Sequence, residues 1–130
     1  MADLSPFDTV AALVDAINRG DIDAAVGCYA PHAAFVAAAD QIVTGTAAIR
    51  VAMANMLSSS PTITTLSHAE VRTGDLSLCH SHWRMNGTAA DGSAFEASGQ
   101  SADVLRCADD GVWRIEIDNP WGTSMLAAHP

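Results

Sequence analysis

The stretch Asn18-Arg19-Gly20-Asp21-Ile22-Asp23, running on into Tyr29-Ala30-Pro31-His32-Ala33-Ala34-Phe35, sets the early course of the chain. Gly20 supplies the left-handed residue that ends a helix, and Asp21 has the short acceptor side chain that caps the next one. The helix before it starts at Ser5-Pro6-Phe7-Asp8, with Ser as N-cap, Pro in the first helical position and an acid placed to reach back to the cap. Phe7, Val10, Leu13, Val14 and Ile17 recur at helical spacing and give it one apolar face. The second helix, with Ile22 and Val26 inward, is expected to reach about Cys28 and to stop before Pro31. A short strand over 33–38 follows.

Thr44-Gly45-Thr46 begins a third helix, whose Ile49, Met53, Met56 and Leu57 form another apolar stripe that needs a sheet to cover. From Ile63 the pattern changes to stretches divided by turn signals at Gly74-Asp75, at Asn86-Gly87 with Asp91-Gly92, and at Asp109-Asp110-Gly111. These separate about four strands. Two helices, a short strand, a helix and then an antiparallel meander predict an α+β fold with helices on one face of a curved sheet. At 130 residues, with no linker, repeat or low-complexity segment, the chain is expected to be a single domain spanning 1–130.

A formal charge of -9 repels a phosphate backbone, and no Lys/Arg cluster offsets it locally, so nucleic acid and anionic membrane are excluded as expected partners. The start carries no basic region followed by an apolar run, and no segment has the apolar length of a membrane helix; a soluble, cytoplasmic protein is expected. Cys28, Cys79 and Cys107 are odd in number and lack a Cys-x-x-Cys pair, which points to buried reduced thiols rather than disulfides or zinc. No Ser-His-Asp order, nucleophile elbow, phosphate loop or dinucleotide fingerprint appears, and no cofactor is expected.

The chain resembles the nuclear transport factor 2-like superfamily (cystatin-like fold), in its SnoaL-like or ketosteroid isomerase-like group. The likeness is carried by Asn18-Arg19-Gly20-Asp21 into Tyr29-Ala30-Pro31, by Gly45-Thr46-Ala47-Ala48-Ile49-Arg50, and by Asp110-Gly111-Val112-Trp113-Arg114-Ile115. It implies a cone-shaped α+β barrel, three N-terminal helices packed on a strongly curved antiparallel sheet, an apolar interior and frequently a homodimer. Ketosteroid isomerases carry a general base on the first short strand, and the resemblance puts that position on Ala37, or on Ala38 after a slip of one residue. Their oxyanion-binding Tyr corresponds to Leu13, and their protonated acid to Asp103. Limonene epoxide hydrolases need a polar group on the same short strand, where Ala38 offers none.

In the family's register Asp103 shares an inward face with Leu105 and Cys107. A desolvated Asp there has a raised pKa and donates to a ligand carbonyl; alternatively it is a structural acid bonded to a neighbouring strand or to Asn119. Alternation puts Cys79, Ser81, Trp83 and Met85 on one face, and Ile115, Ile117 and Asn119 with Trp113. The expected ligand contacts are Tyr29, Ser81, Trp83, Asp103, Asn119 and Trp121, with Asp103 the catalytic candidate; the alternative is that the same side chains simply fill the core. His80 and His82 have the parity opposite to Trp83, which sets them with Arg84 on the convex face. A metal site would also need His68 across from them, and none is expected. His32 reads as an exposed loop histidine, with a pocket-mouth acid or base as the alternative. Three functions follow from the chain: a small-molecule binder for a mostly apolar organic ligand, an isomerase or cyclase using Asp103 as acid/base, or a non-catalytic association module working through its convex face.

Overall fold

Helix α1 (Pro6–Arg19) begins as its capping signature predicts, the Ser5 backbone N–H donating to Asp8 Oδ2 at 2.7 Å. It ends on Gly20, which is left-handed at φ 70°. Asp21 Oδ1 then accepts from the Ala24 N–H at 3.0 Å and starts α2 (Ile22–Val26). The computed structural model describes residues 5–129. After α2 the order is β1 (Tyr29–Ala38), β2 (Gln41–Thr44), α3 (Thr46–Leu57), β3 (Thr62–Thr73), β4 (Leu76–Thr88), β5 (Ala94–Cys107), β6 (Trp113–Asn119) and a 3-10 turn at Gly122–Ala128.

The second helix is shorter than expected and the first strand longer, because Tyr29 through His32 are strand rather than helix exit. Pro31 does not interrupt the sheet. It lies where the β1–β6 register shifts between Tyr29 and Ala34, so its missing N–H removes no ladder bond from a regular stretch. Strand β2 was not predicted; it turns back on β1 through Ala39-Asp40, a pair with no hairpin signature.

The six strands form one curved, unclosed sheet in the order β2-β1-β6-β5-β4-β3. It is antiparallel throughout except between β1 and β6, which run parallel and correct the expectation of a wholly antiparallel sheet. These two strands meet only after the chain has passed through α3 and the meander, and so long a connection permits either direction. The four strands of the meander are present, with turns at Gly74-Asp75, Asp91-Gly92 and Asp109-Asp110-Gly111, whereas Asn86-Gly87 lies within β4, paired with Glu96 and Phe95.

The concave face of the sheet receives α1 and α3. Val10, Leu13 and Ile17 of α1 and Ile49 and Met53 of α3 are buried against Phe35, Leu105, Trp113 and Ile115. Cys79 joins this core, while Cys28 and Cys107 are half-buried; all three are free thiols. Among the described residues no helix is long and apolar enough to cross a membrane.

Gly122 fixes the exit from β6. Its φ is 54°, and a Cβ there would sit 2.2 Å from the Gln100 carbonyl oxygen, a backbone atom that cannot swing aside. Gly122→Ala is therefore expected to destabilise the fold by about 2 kcal/mol or more. Urea unfolding checks this, and an unchanged midpoint would refute it.

Candidate ligand cavity

A bulge in β6 determines what faces the interior. Val104 pairs with Ile117 and Leu105 with Ile115, so Glu116 is an extra residue on β6. Its side chain is held outward by Arg106, whose Nε lies 3.0 Å from Glu116 Oε1. Before the bulge Trp113 and Ile115 point inward; beyond it the parity reverses. Ile117 is 44% exposed and Asp118 is buried, which corrects the expectation that Ile117 and Asn119 share the face of Trp113.

Asp118 consequently stands directly opposite Asp103 on β5, both buried and within hydrogen-bonding reach of each other. The hydroxyl of Tyr29, at the head of β1, donates to Asp118 Oδ2, and the Asn119 backbone N–H donates to Asp103 Oδ1 at 3.0 Å. Two carboxylates about 4 Å apart repel by roughly 4 kcal/mol even at an effective dielectric near 20, before any desolvation cost. The pair therefore keeps a proton. Burial first, and then the neighbouring Asp118 charge, hold Asp103 well above the usual carboxylate range. Burial also raises Asp118, opposed by the hydrogen bonds from Tyr29 and Asp103. Burial and the Asp118 charge push Tyr29 well above its usual value, so it stays a donor. The arrangement is a pair of facing acids that share a proton, with the Tyr29 phenol donating to Asp118 and the Asn119 N–H to Asp103.

These acids form one end of a cavity of about 120 Å³. Ser81 and Ser101 lie beside them, and the remaining wall is largely apolar, from Leu13 and Ile17 of α1, Met53 and Met56 of α3, and Phe35 and Ala37 of β1. Trp83 and Trp121 also line it, their rings edge-to-face with centroids 5.5 Å apart. Both indoles are anchored, Trp83 Nε1–H to the Pro120 carbonyl at 2.8 Å and Trp121 Nε1–H to the Val36 carbonyl at 3.1 Å. Gly99 makes room for the first, since a Cβ there would lie 2.7 Å from the Trp83 ring.

Of the residues expected to contact a ligand, Ser81, Trp83, Asp103 and Trp121 come together on this wall. Tyr29 does not line it and bears on it only through Asp118. The Asn119 side chain is turned away: its Oδ1 accepts from the Trp121 and Gly122 N–H groups at 3.2 and 3.1 Å, closing the turn after β6. Ala37 and Leu13, the positions matched to the isomerase base and tyrosine, both lie on the cavity wall as apolar side chains. Ser101 and Asp118 were missed. Ser101 was recoverable, because it shares the parity of Asp103; Asp118 was not, because no glycine or other signal marks the bulge.

The histidines do not converge. His80 and His82 are exposed on the outer face, whereas a register shift between Thr65 and Ser67 sets His68 opposite Ser81, its ring stacked on Phe7 of α1 at 3.7 Å. His32 is exposed on β1, a strand position rather than a loop.

The family model of the SnoaL-like domain matches residues 10–115. No functionally curated protein matches the sequence significantly. Among solved structures, a nuclear transport factor 2-like superfamily protein from Salmonella enterica superposes with a TM-score of 0.77 at 15% identity, covering 86% of this chain and 84% of that one. A candidate ketosteroid isomerase from Shewanella frigidimarina gives 0.77 at 18% identity, covering 89% and 94%. A protein of unknown function from Mycobacterium tuberculosis gives 0.72 at 25% identity, covering 85% and 69%. The first two likenesses, at such identities, are likenesses of fold.

A buried acid with a raised pKa stabilises the fold below its unfolded value, near 3.9, and loses that contribution as pH rises through its folded value. Asn at position 103 can keep both contacts, accepting from Asn119 N–H and donating to Asp118, without a titrating proton. The stability of the wild type relative to Asp103→Asn is therefore expected to decline as pH rises from about 4 toward neutrality. Denaturant titrations of both proteins at several pH values measure this difference; one that grows with pH contradicts the assignment. Asp118→Ala, which strands two buried donors, should cost about 2–4 kcal/mol.

Proposed function

The chain belongs to the SnoaL-like domain family, within the nuclear transport factor 2-like superfamily, and we propose that its cone is the binding site for a small, mostly apolar organic molecule. One observation carries this reading: the interior holds a cavity of about 120 Å³ with largely apolar walls and, besides Thr65, a polar group of Asp103, Asp118, Ser81 and Ser101. Apolar burial supplies affinity in such sites, and a few convergent polar groups set orientation. A protein acting only through its outer surface has no need of paired acids inside.

The acid pair favours a second reading, an isomerase- or cyclase-type enzyme. A carboxylic acid and a carboxylate sharing one proton are a general acid and a general base in one place. With Ala37 and Leu13 where ketosteroid isomerases carry their base and tyrosine, Asp103 does not act alone as the acid/base; Asp118 completes it. The candidate ketosteroid isomerase among the structural relatives points toward the same kind of chemistry.

We further propose that the chain is one domain, that it works in the cytoplasm, and that it pairs as a homodimer through the outer face of the sheet. There Val71, Leu78, Val104 and Ile117 stand directly opposite one another across β3, β4, β5 and β6. Three of the four are exposed large apolar side chains, and such a row is a natural seam for a second copy.

Native mass spectrometry of the full chain tests both parts. A dimer of twice 13.5 kDa carrying a small organic molecule is expected. Ala37→Leu, which fills the cavity wall, should keep the fold and lose the passenger, and Leu78→Glu should give monomers. If wild type carries no passenger and neither added cyclopentanol nor added cyclopentylamine binds better to it than to Ala37→Leu, the cone is not a binding site. If Leu78→Glu stays dimeric, the outer face is not the seam.

A further inference from the structure

The acid end of the cavity has almost no hydrogen-bond donor to spare. The Tyr29 hydroxyl goes to Asp118, and a proton kept by the facing pair is shared between Asp103 and Asp118. The Ser81 and Ser101 hydroxyls bond each other at 2.6 Å, and Ser101 also reaches the Ser81 carbonyl at 3.3 Å. The indole N–H groups of Trp83 and Trp121 are given to backbone carbonyls. Acceptors, by contrast, are in surplus. An ionised carboxylate offers about four lone-pair sites, and Tyr29 and Asp103 fill about two of those on Asp118. No Lys, Arg or His lines the cavity, so the charge on the pair has no protein counter-ion there.

Thr65 adds one further hydroxyl to the lining, but an acid end where acceptors outnumber free donors and the negative charge is uncompensated is mismatched to a ketone or a carboxylate. We propose that the cavity takes a small organic cation, a protonated amine on a compact apolar body, whose ammonium group donates to the Asp118–Asp103 pair. This rests on the reading of the cone as a small-molecule site and names the ligand class. The ammonium supplies the missing counter-charge to a carboxylate already buried, and a buried ion pair forms at least cost where one charge is desolvated beforehand. The indole walls of Trp83 and Trp121 suit a cation as well. The volume, about 120 Å³, is somewhat below that of the roughly 150 Å³ cavity known to hold benzene, which limits the body to about one small ring. Unlike the expectation drawn from family resemblance, in which Asp103 donates to a ligand carbonyl, here Asp103 is spent on Asp118 and the ligand is the donor.

Four probes with one body separate the possibilities: cyclopentylamine, cyclopentanol, cyclopentanone and cyclopentanecarboxylate, titrated into the full chain at pH 7 and moderate salt. The amine is expected to bind about tenfold or more tighter than the alcohol, with the ketone weaker and the carboxylate undetected. Replacing both acids, Asp103→Asn together with Asp118→Asn, should erase the preference for the amine, because either acid left alone can still carry the pair's single charge. The methyl resonances of Met53, Met56 and Met85, which line the cavity, locate the amine in wild type even if that variant fails to fold. Three results overturn the inference: a ketone or alcohol binding as tightly as the amine, an amine preference that survives the loss of both acids, or an amine that moves none of these methyl groups. In the first of these the cavity remains a ligand site of another class. If none of the four probes reaches the cavity, the reading of the cone as a ligand site fails and the inference with it.

Discussion

Two carboxyl groups in a buried space without a cation cannot both be ionised, and much of the interior is arranged around that constraint. Asp103 and Asp118 face each other across β5 and β6, and the structure meets the cost with donors. Tyr29 is buried to deliver its hydroxyl, and the Asn119 backbone is angled to reach Asp103. Asn119 can do this because its side chain folds back to hold the following turn, which in turn sets Trp121 against the cavity. An interior devoted only to stability would gain from replacing the pair by apolar side chains of similar volume. That the pair borders a cavity, rather than sitting in packed core, is what ties it to a ligand.

The bulge at Glu116 is the geometric cause. Without the extra residue, Asp118 would point outward and Ile117 inward, and Asp103 would face the cavity without a second acid. A single inserted position on β6 thus turns a lone buried acid into a pair. It also frees Ile117 to join Val71, Leu78 and Val104 on the outer face, so one irregularity shapes both the cavity and the apolar row behind it.

Much of the fold was legible because its signals are local. Ser5, Asp8, Gly20 and Asp21 mark helix ends by their own backbone chemistry, and the glycine turns between β3 and β6 divide the meander in the same way. Strand β2 escaped because Ala39-Asp40 is an ordinary dipeptide and Ile42 is 56% exposed, so neither turn nor burial pattern announces it. Pro31 reads in the sequence as a helix stop, yet it occupies an exposed, irregular part of a strand. Within the site, Ser81 and Trp83 followed from strict alternation, and Asp103 from the family resemblance and its register. Asp118 could not, since alternation is the very rule that a bulge suspends. Asn119 was assigned the wrong task for the same reason.

The shared proton is the point on which the cavity's chemistry turns, and the side-chain carboxyl carbon shifts of Asp103 and Asp118, followed by NMR across pH, observe it directly. At pH 7 one of the two carboxyls should show the shift of a protonated acid and the other that of a carboxylate, with Asp103 titrating well above the usual range. Two ionised carboxylates at pH 7, each titrating near 4, would contradict it.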